Sequence, residues 1–128
     1  MKYFFDNCIA PSLAKAISAL GQDVIHLRDK FAPDTPDEIW LPAMASEGRH
    51  VVTCDKRIYK RTDQRKILRD ARLVCFVLPK TFANHGFWEQ AKYIVSYWPK
   101  IRDVAATEAE PGQFWLLQLN GKIELGLL

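Results

Sequence analysis

Short apolar runs alternate along the chain with stretches whose apolar residues recur every three or four positions. "KYFF" reads as a first strand, and "PSLAKAISALG" as a helix with Pro11 in its first turn, Leu13, Ala16, Ile17 and Leu20 on one stripe, and Gly21 as its stop. "DVIHL" is a second strand. "DTPDEIWLPAMASEG" follows as a second helix, with Asp34 and Thr35 as cap candidates, Pro36 at the first helical position and an end at Gly48. "HVVTC" is the third strand, and "KRIYKRTDQRKILRDAR" a loop leading into a helix. "LVCFVLP" is a nearly continuous apolar strand closed by Pro79. "GFWEQAKYIVSYW" is a longer helix with Phe87, Ala91, Ile94 and Trp98 on a common face, ended or kinked by Pro99. After a turn at "EPG", "FWLLQL-NG-KIELGLL" reads as a β-hairpin whose Asn120-Gly121 pair suits a two-residue type I′ turn.

Continuous apolar strands separated by helices indicate a parallel sheet covered on both faces, hence an α/β fold. A length of 128 residues is that of one domain spanning 1–128, large enough to bury a core without staples. The apolar stretch after Lys2 is cut by Asp6 before a secretory core could form, and no run reaches the length of a membrane span. Three cysteines, Cys8, Cys54 and Cys75, without CxxC spacing argue against a disulfide framework or a structural zinc site. Reduced thiols and a cytoplasmic location are the expectation.

Charge is unevenly distributed. The net charge is +3, but Lys56 to Arg72 holds eight basic residues against Asp63 and Asp70, leaving the remainder negative. Segregation of this kind is the footprint of a polyanion-binding surface, although a solvated helix face would look the same. Lys56, Arg57, Lys60 and Arg61 are spaced to share one side of a helical turn, with Arg65, Lys66 and Arg69 extending the stripe. Each would contact a phosphate, and Tyr59 would stack on an unpaired base. RNA is the expected partner; charge alone does not separate it from DNA.

The first strand ends in Asp6 and the third in Asp55. Parallel neighbours would bring both acids to one edge, where ligands of open α/β sheets sit. Asp37 and Glu38 open the intervening helix. Carboxylates converging on one edge repel unless one is protonated or a divalent cation is shared, and an all-oxygen donor set favours Mg²⁺ or Mn²⁺. Such a cation activates water against a phosphodiester. The plainer readings are local: Asp6, Asn7 or Asp55 as helix caps, and Asp37 and Glu38 as partners of a helix dipole. Cys8 and Cys54 read as small strand-end residues, and His26, His50 and His85 lack metal-ligand spacing. Trp88, Tyr93, Tyr97 and Trp98 are core residues or, where exposed, an interface.

Taken in order, "FFDN", "HLRD", "TPDEI" and "EGRHVVTCDK" resemble the PIN-like nuclease superfamily, most closely its compact branch of VapC-type toxins, over about residues 2–60. The resemblance implies a three-layer α/β/α sandwich and an Mg²⁺- or Mn²⁺-dependent endoribonuclease, the toxin of a toxin–antitoxin pair, with an antitoxin protein and a second copy of the chain as further partners. It places Asp6, Asp37 and Asp55 at the metal, Thr53 at the polar position before the third acid, and Asn7 where relatives carry Glu. A fourth acid expected two residues beyond Asp55 is replaced by Arg57. These two departures leave open a nucleic-acid- or protein-binding module that keeps the fold without the chemistry. A receiver-like phosphoacceptor domain also places acids after its first and third strands, but it requires an acidic pair where Asp6-Asn7 stands.

Overall fold

The computed structural model describes residues 1–126, and Tyr59 by its backbone alone. Six strands form one sheet: β1 (Lys2–Phe5), β2 (Asp23–His26), β3 (Arg49–Thr53), β4 (Cys75–Val77), β5 (Phe114–Leu117) and β6 (Ile123–Leu125). Their spatial order is β2-β1-β3-β4-β5-β6, parallel except for the antiparallel β5–β6 hairpin at one edge. Four α-helices among the described residues complete the fold: α1 (Pro11–Ala19), α2 (Asp37–Ser46), α3 (Thr62–Asp70) and α4 (Phe87–Asp103).

Side chains alternate across the sheet as strand geometry demands. Tyr3, Phe5, Val52 and Phe76 face a core completed by Leu13 and Ile17 of α1 and Ile94, Trp98 and Ile101 of α4. Phe4, Val51, Cys75 and Phe114 face the other, completed by Trp40, Leu41 and Met44 of α2 and Leu68 of α3. The result is the expected three-layer α/β/α sandwich. The two faces carry different aromatic anchors: Trp98 meets Tyr3 edge-on at a centroid distance of 4.7 Å, and Trp40 stacks on Phe4 at 4.8 Å.

Local expectations fail in five places. In α1 the buried face is Leu13, Ala14 and Ile17, whereas Ala16 and Leu20 are exposed, because the helix ends at Ala19 before Leu20 can turn inward. Pro36 stands just outside α2 as its N-cap rather than as its first helical residue. Pro99 does not end α4. It removes one backbone donor, yet buried Trp98 and Ile101 on either side keep the helix against the sheet as far as Asp103. Phe87, on the predicted buried face, is exposed. The hairpin turn is also not type I′: Gly121 alone has a positive φ (+86°), and its N–H donates to the Gln118 carbonyl at 2.9 Å. That is a turn closed by a left-handed glycine, so the connection spans residues 118–122 rather than two.

Candidate functional site

The chain leaves β1 toward β2 on one side and returns to β3 on the other, so the strand order reverses between β1 and β3. The carboxyl end of that pair is where an open α/β sheet presents a crevice. Phe5 lies level with Val52, and the next backbone bond runs from the Asp6 N–H to the Val52 carbonyl at 3.0 Å. Asp6 and Thr53 are therefore side by side. The fully buried Thr53 hydroxyl donates to Asp6 Oδ2 at 2.7 Å and accepts the Asp55 N–H at 3.0 Å, tying both strand ends through one oxygen. Asp6 Oδ1 accepts the Asn7 N–H at 2.6 Å. Burial pushes the Asp6 carboxyl above its ordinary range; the Thr53 and Asn7 hydrogen bonds pull against it, and the Asp55 charge adds to the rise. Asp37, first residue of α2, is raised by burial and then by Asp6, Asp55 and Glu38. The three acids thus share one electrostatic field.

Asp55 is held differently. It caps the short 3-10 turn Lys56–Lys60 by accepting the Arg57 N–H at 2.9 Å, as the capping alternative expects. The Arg57 guanidinium closes on the same carboxylate with two bonds, Nε to Oδ1 at 3.0 Å and Nη2 to Oδ2 at 3.1 Å. Burial pushes Asp55 up, but the Arg57 bonds and charge outweigh it and leave the carboxyl below its usual range. A cation supplied by the chain therefore neutralises the third acid at the position where a fourth acid was expected. Asn7 is occupied too: its Oδ1 accepts from Arg28 Nε at 2.7 Å and its Nδ2 donates to the Pro33 carbonyl at 3.0 Å, pinning the segment that follows β2. Neither Asp6 nor Asn7 caps α1, whose N-cap is Ala10.

These partners correct the expectation of a metal centre. Among the described residues, no group of three or more histidine, cysteine, aspartate or glutamate side chains is arranged to hold a metal ion. Asp6, Asp37 and Asp55 are drawn to one edge, but the oxygens of Asp6 and Asp55 already accept donors from the protein. The donor set does not fit an Mg²⁺ or Mn²⁺ cofactor. The readings that depended on it, a metal-dependent endoribonuclease, a hydrolase and its toxin role, fall with it.

The basic segment forms the neighbouring surface. Lys56, Arg57, Lys60, Arg61 and Lys66 are exposed and Arg65 is half-buried. Several are committed to carboxylates: Arg57 to Asp55, Arg61 to Glu38, and Lys66 to Asp70 at 3.3 Å. Lys56, Lys60, Arg69 and Arg72 have no ion pair with the described residues. A cleft of about 280 Å³ continues from there along the ends of β4 and β5, with Lys56 and Lys80 among its lining residues. The Tyr59 side chain, expected to stack on a base, lies outside the described residues.

Sequence reasoning missed a covalent feature. Cys8 and Cys54 form a disulfide, correcting the expectation of reduced thiols, while Cys75 is free and buried. The signal was present but not decisive: each cysteine lies next to the strand end that carries an acid, and only the β1–β3 adjacency shows that the two ends meet. Likewise His26 is a buried clamp, its Nε2 on the Ile9 carbonyl at 2.6 Å and its Nδ1 accepting the Arg28 N–H at 3.0 Å; burial lowers its pKa. It holds the loop after β1 in place behind Asp6.

No helix among the described residues is long and apolar enough to cross a membrane. Comparison with known families finds a match to one described as a PIN like domain, over residues 1–80. The matched region runs from β1 through β4 and contains Asp6, Asp37, Thr53, Asp55 and the basic segment. The match is to the domain at large and singles out no toxin branch. Neither the curated proteins nor the solved structures contain a match.

Proposed function

The chain belongs to the PIN-like domain family, and from that premise we propose that it is a nucleic-acid-binding module whose strand-end acids organise the edge rather than hold a catalytic cation. The observation that carries this reading is the bidentate Arg57–Asp55 pair, which turns the third acid of the edge into a strut for a basic turn. That turn presents Lys56 and Lys60 to solvent, and α3 extends the positive surface through Arg69. Contacts from such residues reach phosphates and carry no base information, so binding should show little sequence preference; the proposed ligand is single-stranded RNA, the partner expected from the family resemblance.

The test is fluorescence anisotropy of a labelled single-stranded RNA over a range of salt concentrations. Three or four phosphate contacts predict a log–log salt slope of about −2 to −3 for a single strand. Lys56→Glu with Lys60→Glu should abolish most of that slope. Salt-independent retention, or retention unchanged by the double charge reversal, would contradict the reading.

A second reading takes the partner to be a protein. Trp88 is 77% exposed at the start of α4, and Phe87, Val95 and Leu119 are exposed apolar residues on α4 and the hairpin turn. Exposed tryptophan is enriched in interface hot spots. Light scattering of wild type against Trp88→Ala tests for a second copy docked there.

A further inference from the structure

The Cys8–Cys54 bridge sits at the strand-order reversal itself. β1 and β3 are hydrogen-bonded neighbours as far as the Asp6 N–H to Val52 carbonyl bond; beyond it the two chains part, one into the loop toward α1, the other into the basic turn. The bridge joins them two residues past Asp6 on one side and between Thr53 and Asp55 on the other. The Cα atoms are 6.1 Å apart, a separation that a disulfide spans without backbone movement. Both cysteines are half-buried, within reach of a small thiol reagent, whereas Cys75 is sealed in the core and its thiol is pushed well up by burial. The Cys54 N–H donates to Cys8 Sγ at 3.0 Å. A backbone donor on that sulfur favours negative charge there, so Cys8 is the better leaving thiolate.

We propose that Cys8–Cys54 is a reversible thiol–disulfide switch that fixes the basic turn Lys56–Lys60, with the bridged form the tighter nucleic-acid binder; this last clause rests on the function proposed above. The reductant is a dithiol. One of its thiolates attacks Cys54 Sγ, the Cys54–Cys8 bond breaks with its electron pair leaving on Cys8, and Cys8 takes up a proton. The second thiol of the reagent then attacks the mixed disulfide, closing the reagent into its own disulfide and releasing Cys54, which is protonated in turn. Two electrons pass from reagent to protein, and the two thiols of the protein end protonated.

Freed of the bridge, residues 54–56 keep the Thr53 and Arg57 hydrogen bonds but lose their only covalent tie across the edge among the described residues. Amide exchange over residues 54–57 should then rise, because this part-exposed stretch between the buried Thr53 and the buried Ile58 keeps its hydrogen bonds but not its crosslink. Binding RNA must reorder the loosened lysines, which lowers affinity by about threefold to tenfold.

The experiment compares air-oxidised full-length protein with the same protein reduced by dithiothreitol, together with Cys8→Ser and Cys54→Ser. Readouts are alkylation mass shifts under native conditions, amide exchange over residues 6–8 and 54–60, and anisotropy of a labelled single-stranded RNA. Oxidised protein should resist alkylation at Cys8 and Cys54, and reduction should expose both, raise exchange in the two segments and weaken RNA binding. Each serine variant should match the reduced protein whatever the redox state. Alkylation of both cysteines before reduction, or exchange over 54–60 identical in the two states, overturns the switch. Changed exchange with unchanged RNA affinity overturns its control of binding. If oxidised protein retains no RNA at all, the proposed function fails, and the exchange comparison still decides whether the bridge governs the turn.

Discussion

Thr53→Val removes one oxygen from the edge and keeps the shape of the side chain. The hydroxyl serves two partners: it donates to Asp6 Oδ2 at 2.7 Å and accepts the Asp55 N–H at 3.0 Å, and Thr53 is fully buried. A hydrogen bond to a charged group contributes about 1.5–3 kcal/mol, and an orphaned backbone donor costs about 1–3 kcal/mol where water reaches it poorly. Because the edge is only part-buried, the combined loss at neutral pH should be about 2–4 kcal/mol, or a fall in Tm of roughly 7–15 °C for a chain of this size. The pH dependence has a definite sign. Asp6 is already raised above its ordinary value, and the Thr53 hydrogen bond opposes that rise. An acid whose folded pKa is raised binds its proton more tightly in the native state; the stability this gives is complete below the unfolded value and disappears as pH rises through the folded one. Losing the hydroxyl raises Asp6 further, so the penalty of Thr53→Val should be largest at neutral pH and shrink on acidification through the native titration of Asp6. Urea denaturation at several pH values, with Thr53→Ser as the variant that keeps the oxygen, measures this. A penalty below about 0.5 kcal/mol at pH 7, or one that grows toward acid, would refute the shared role of this hydroxyl.

Three other outcomes follow from the same edge and from the hairpin. Breaking the bridge by Cys8→Ser opens a crosslink between residues 46 positions apart; chain entropy puts the loss at up to about 4 kcal/mol, read as a lower urea midpoint than that of the oxidised wild type. Arg57→Ala removes the partner that holds Asp55 low, so the Asp55 carboxyl, followed by NMR titration, should move upward from its native position. Gly121→Ala drives a methyl into the Tyr97 ring at a φ of +86°; the variant should lose about 1–3 kcal/mol in thermal or urea unfolding.

Element order was legible because buried parallel strands are continuous apolar runs, and "YFF", "HVVT" and "VCFV" leave little else for those residues to be. The edge acids were legible for the same reason: a carboxylate at the tip of such a run stands out. Their partners were not. Whether Asp55 faces a cation from solvent or one from the chain depends on Arg57 folding back over a two-residue span, a rotamer choice without periodicity. The partners of Asn7 were equally out of sight, since its amide is taken by Arg28 and Pro33, 21 and 26 residues away in sequence. The Cys8–Cys54 pairing needed the strand order itself. The end of α4 was missed because proline weighs heavily in a local reading, while the burial of Trp98 and Ile101 that carries the helix past it is tertiary.

The central claim is that this PIN-like chain binds nucleic acid without a metal-dependent cut. It is tested most directly by incubating a labelled single-stranded RNA with purified protein in Mg²⁺, Mn²⁺ or chelator, reading anisotropy and strand length from the same samples, for wild type and Asp55→Asn. The account predicts retention in all three solutions with the strand intact. Shortening of the RNA that requires the added cation and is abolished by Asp55→Asn would contradict it.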